Sequence, residues 1–209
     1  MQANPPITFP FLHELSVDFS LDEETSDLKQ LWEAGFEISP TLIIPAEIEE
    51  NYYRLNNLPE QLSLLFKYVN TQNPDEDDIE ELEPLALALF KKHFLLDEII
   101  DLFYAALEPL PSKITMRRSG STQTRTALKG RPSLIALKKL WADAWTYDAL
   151  LNRIESTQSI AVEAQHVFIQ AKSDYQIYND ERVADILGKS VEVKMDAQNR
   201  ITQLLPQAS

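Results

Sequence analysis

Apolar residues recur at three- and four-residue steps along much of the chain, the spacing of one face of a helix. Leu28, Leu31 and Trp32 make the first such stripe. Ser26 stands where it can cap that helix, and Gly35 where a left-handed terminal residue is wanted, with Phe36 placed to close the cap. Pro40–Ile44 is a short, proline-bounded run that predicts a strand. Pro45 then opens a helix through Leu55, and Leu58–Val69 predicts another. Thr71–Glu83 is acidic and polar, which predicts a solvated connection. From Pro84 two consecutive helices are expected, split near His93 and Phe94, the second carrying Ile99, Leu102, Phe103 and Ala106. A long helix is expected from about Ser133 to Ile154, with Trp141 and Trp145 four apart on a buried stripe.

The last third changes period. Ser159–Val162, His166–Ile169 and Val191–Met195 read as strands, the last paired with Arg200–Leu204 across a turn at residues 196–199. A short helix from Glu181 to Leu187, stopped by Gly188, precedes that hairpin. Residues 1–22 read as an extended arm whose apolar positions (Phe9, Phe11, Leu15, Val17, Phe19) pack on something. The expected fold class is α+β. It comprises the arm, a mostly helical domain with a small antiparallel sheet over residues 23–156, and a β-rich segment over 157–209.

Charge changes the picture more than composition does. No apolar run reaches about 18 residues, so no membrane span is expected. The first fifteen residues lack the pattern of a signal peptide. Zero cysteines fit a reducing compartment, and the expected location is cytoplasmic. The formal net charge is −14, unevenly spread. Residues 1–111 hold 23 acidic and 5 basic side chains, whereas Lys113–Lys139 holds eight basic residues and no acid. An acidic body repels nucleic acid, so none is expected as a partner.

Within that basic stretch a strand-like start leads through a Ser/Thr/Gly loop into a helix. Arginine forks, hydroxyls and backbone N–H groups in this order suit an oxyanion. The candidate binding residues, for an anion or a partner, are Arg117, Arg118, Ser119, Ser121, Arg125, Lys129 and Arg131. The competing expectation is a solvated loop whose arginines pair with the acidic body. Ser119 and Ser133 also stand in basic contexts that suit phosphorylation. No Walker loop, GxGxxG, HExxH or GxSxG occurs, and His13, His93 and His166 match no ligand spacing. Asp185 followed by Glu192 and Lys194 matches the acid-then-ExK pattern of metal-dependent nucleases, a remote alternative.

Ile114–Ser121, ITMRRSGS, resembles the VAVRSSAT-type strand in the nucleotide-binding domain of pyruvate phosphate dikinase and phosphoenolpyruvate synthase. Leu128–Arg131 resembles that family's FAGQ turn, and Ala136–Leu150 the helix that follows it. Leu28–Tyr53 is similar to its "L..L..AGF.VPPGFVIT..AY" segment. The resemblance spans about residues 26–155 and implies the first subdomain of an ATP-grasp fold, with Arg117 at the position that touches ATP phosphates. The family's glycine-lysine motif is replaced here by SLDEETSDLKQL. The expected function is therefore a non-catalytic binding or assembly module with a protein partner and no cofactor. The alternatives are a regulator that binds ATP with magnesium, and an ATP-dependent phosphotransferase subunit completed by a second chain.

Overall fold

Four strands form the sheet that divides the interior. A computed structural model of the chain describes residues 8–16 and 19–206. Val17, and about half of the stretch bearing on a signal peptide, lie outside the described residues. Strands β1 (Leu42–Ile44), β2 (Lys113–Arg118), β3 (Arg125–Leu128) and β4 (Val167–Ala171) pair antiparallel in the order β1-β4-β2-β3. A second antiparallel sheet runs β5 (Tyr175–Asn179), β6 (Val191–Asp196), β7 (Ile201–Pro206) in sequence order. The expected α+β class is what the chain adopts, with the strands concentrated toward its C-terminal end.

Around β1 and the first half of β4 both faces of the first sheet are buried, which explains why Leu42–Ile44 and residues 167–169 read as unbroken apolar runs rather than alternating ones. Leu42, Ile44, Val167 and Ile169 face a helical core that includes Tyr52, Phe90, Phe103 and Trp141. Ile43 and Phe168 face the other way, into a smaller core with Leu28, Leu31, Val183 and Val193. The helices of the larger core are α2 (Ala46–Leu55), α3 (Leu58–Leu65), α4 (Glu76–Lys92), α5 (Asp97–Leu107), α6 (Arg131–Ala142) and α7 (Tyr147–Thr157). The smaller core is closed by α1 (Glu23–Glu33) and α8 (Glu181–Leu187), which touch each other through Gln30 Nε2 donating to the Ile186 carbonyl, 2.9 Å. Trp141 and Trp145 are both buried, as their spacing implied.

The described part of the N-terminal arm packs on its own domain: the Leu12 N–H donates to the Thr41 carbonyl and the Ile43 N–H to the Pro10 carbonyl, both 2.9 Å. Strand β4 lies between β1 and β2, so the segment after residue 157 completes the first sheet before forming the second. Several boundaries differ from the expectation. Asp22, not Ser26, caps α1, its carboxylate accepting from the Thr25 N–H at 2.8 Å. The acidic connection is largely helix: α4 starts at Glu76, capped by Asp75, and Pro84 lies inside it. Three acids in a first turn favour the positive end of the helix dipole, and that is why the stretch looked like a linker. The long helix expected after Ser133 is divided by a 3₁₀ turn at Asp143–Trp145. Ser159–Val162 is not a strand. No helix among the described residues is long and apolar enough to cross a membrane.

Candidate functional site

Strand alternation sends the two consecutive arginines of β2 to opposite faces of the first sheet. Arg117 lies beside Phe168, on the side of the smaller core, and Arg118 beside Val167, on the helical side. Arg117 is 3% exposed. Its Nη1 and Nη2 each donate to a carboxylate oxygen of Glu24 at 2.7 Å, and its guanidinium lies 4.8 Å over the Phe168 ring. The same carboxylate accepts from the Gly120 N–H at 2.7 Å and from the Leu204 N–H at 3.5 Å. Gly120 has φ +73°, a conformation that glycine adopts without strain and that aims its N–H at Glu24. An arginine fork with two backbone N–H groups is the seat expected for an exogenous oxyanion, and α1 has placed its own carboxylate in it.

Arg118 performs the equivalent task on the other face. Its Nη2 pairs with the buried Glu49 of α2, and its Nε and Nη2 reach the Leu140 and Trp141 carbonyls at 3.4 Å. Glu49 also accepts from the Gln165 N–H at 3.4 Å and from Tyr53. Burial outweighs the pull of Arg118 and pushes the Glu49 carboxyl above the usual range. Tyr53 in turn accepts from Trp145 Nε1 at 2.8 Å.

The remaining candidates are distributed over other tasks. Arg125, on β3, is bidentate to Asp143, with Nε at 2.7 Å. Lys129 Nζ donates to the carbonyls of Leu107, Glu108 and Leu110 at 2.7–3.1 Å, neutralising the C-terminal end of α5. Ser119 is buried and its N–H donates to the His166 carbonyl at 2.8 Å. Ser121 Oγ accepts from the Gln123 N–H at 3.1 Å. Arg131 stands exposed at the start of α6. Ser133 is fully buried and Ser119 is 7% exposed, so neither offers a hydroxyl to a kinase while the chain is folded. Sequence reasoning named the arginines but not their partners, because Glu24 and Glu49 lie 93 and 69 residues away.

A cleft of about 680 Å³ opens beside the Glu24 seat between the first turns of α1 and α2 and the loop at Ser119 and Gly120. Its rim is acidic. Glu23 and Asp27 are met by Lys189, the latter at 2.6 Å, whereas Glu47, Glu50 and Glu163 have no partner among the described residues. His166 lies in its wall with both ring nitrogens engaged: Nδ1 accepts from the Ala46 N–H at 3.0 Å and Nε2 donates to the Ser20 carbonyl at 2.8 Å. That pattern assigns the neutral Nε2–H tautomer.

The residues of the nuclease pattern do other things. Asp185 is exposed on α8, while Lys194 donates to Gln203 at 2.9 Å and sits 4.5 Å over the Tyr175 ring. No group of three or more candidate metal ligands gathers among the described residues. Compared with known proteins, the chain matches no family model and no curated protein.

Proposed function

We propose that the chain is a non-catalytic binding and assembly module that meets a protein partner through charge. The observation that carries this reading is the Glu24 carboxylate seated on the Arg117 fork and the Gly120 N–H. Where an external anion would be gripped, the fold is gripping itself. The strongest cations of the 113–139 stretch are thus turned inward, and the acids are left facing solvent. Glu24 also belongs to the stretch that stands where the resembled dikinase family carries its glycine-lysine motif, so an acid replaces phosphate-binding backbone at that point. Phosphoryl transfer relies on positive charge held free for the transferring group.

The partner surface that follows is the acidic cleft, which suits a cationic segment of another protein. What the basic stretch adds outward is Lys113, Arg131 and Lys139, all exposed. Titration of the full chain with octalysine at low salt should give saturable binding. Combined Glu47→Lys, Glu50→Lys and Glu163→Lys reversal should weaken it about tenfold or more, three exposed charge interactions of roughly 0.5–1 kcal/mol each. Equal binding by the reversed variant would mean that the overall charge attracts the peptide and the cleft does not.

A second reading, a nucleotide-binding regulator, is favoured by one specific feature. The donors around Glu24 would suit a phosphate if that side chain withdrew. Millimolar ATP with magnesium should then raise the melting temperature of the wild type, and more strongly that of Glu24→Ala, since a specific ligand stabilises the state it binds. Absence of any rise in either protein eliminates the nucleotide.

A further inference from the structure

On the helical side of the first sheet stand two guanidiniums, one buried and one half-buried, of which only one has a carboxylate. Arg118 is paired with Glu49, but Arg153 on α7 has no acid in reach. Its Nη1 donates to the Ala144 carbonyl at 2.8 Å, and its Cζ lies 5.2 Å from the Trp145 ring centroid. Its Nε and Nη2 are buried and have no hydrogen-bond partner. Arg118 makes no hydrogen bond through Nη1 among the described residues either, but that nitrogen is not one of the buried unpaired atoms. Arg118, Arg153 and Glu49 leave a net positive charge inside the protein, and unpaired buried donors of this kind are costly.

Both arginines line a cavity of about 530 Å³, a volume in the range of small-molecule sites. Ser121, Gln123, Thr157 and Ser159 add neutral polar groups to its wall. Of the acids at its edge, Asp143 is already held by Arg125, and Glu163 is exposed and unpaired. Burial and the nearby Arg118 charge both weaken the hold of Arg153 on its own proton, which an incoming anion would reverse.

We propose that this cavity binds a small molecule through an oxyanion group, carboxylate or phosphate, whose oxygens complete the open edges of Arg153 and Arg118. The site lies across the sheet from the Glu24 seat and is independent of it. Because the two open nitrogens of Arg153 are shielded in the unliganded chain, binding includes a turn of that guanidinium toward the cavity. Glu163 acts as a competitor at the mouth.

The test is a thermal-shift titration of the full chain with inorganic phosphate and, separately, malonate, each against sodium chloride of equal ionic strength. A saturable rise is expected with at least one of them, and which one identifies the oxyanion. Arg153→Met should abolish the rise, and Glu163→Gln should lower the apparent Kd about threefold, the size of one exposed charge interaction. Should Arg153→Met fail to fold, the Nε–H resonance of Arg153 in the wild type decides instead, and it should move with the titration. The proposal is overturned if neither anion exceeds the chloride control. It is equally overturned if the rise survives in Arg153→Met, or if the Arg153 resonance stays fixed while other signals shift.

Discussion

Single side chains in this protein are defined by what they are tied to. His93 closes α4, accepting from Gln61 Nε2 at 3.1 Å, while Lys138 binds its carbonyl. Burial, with the charges of Lys92 and Lys138, holds its imidazole below the usual value. The unfolded chain therefore binds a proton that the folded one resists, and stability falls as pH drops through about 6.5. Against His93→Gln, the wild type should lose stability between pH 7 and pH 5.5, read as the pH dependence of the urea midpoint. Parallel profiles would show that the ring titrates alike in both states. The sequence marked His93 as a helix-break residue, which local pattern can do. It could not reveal that Arg117 meets Glu24, because that pairing joins α1 to β2 across a separation of 93 positions.

At the scale of elements, the sequence was readable wherever one face is apolar and the ends are punctuated. The glycine at 35 ends α1 at φ +90°, with the Phe36 N–H returning to the Leu31 carbonyl at 3.0 Å, as its cap signal implied. The hairpin of β6 and β7 was legible from its alternation. By contrast, β5 is exposed along its whole length and β3 along alternate positions, so neither presents an apolar run to find. Pro84 misled for a physical reason: it is favoured in a first turn, yet it sits mid-way along the 17-residue α4, exposed and without an N–H for the ladder. Pro84→Ala should restore that bond and raise stability by roughly 1–2 kcal/mol, the helix-interior penalty reduced by the greater entropy of the unfolded chain. A lower melting temperature for this variant would mean that the ring packs or kinks the helix usefully.

For the whole molecule, the partition of charge is the organising fact. With a formal net charge of −14, most acids repel one another at the surface, while Glu24, Glu49 and Asp143 are drawn inward by the arginines of the basic stretch. That stretch stood out in the sequence as a device for meeting an anion. The structure supplies anions for its arginines at 117, 118 and 125 from within the chain. A buried pair of this kind contributes little over an apolar replacement, yet removing one partner leaves a stranded charge at a cost of about 3–5 kcal/mol. The most direct test is a double-mutant cycle on Glu24 and Arg117, with Glu24→Met, Arg117→Met and both together, measured by urea unfolding. Each single change should cost about 3 kcal/mol and the pair about as much as either alone, a coupling of roughly 3 kcal/mol. If Arg117→Met alone leaves stability unchanged or raises it, the guanidinium is held for an outside ligand and the self-occupied seat is not what fixes α1 to the sheet.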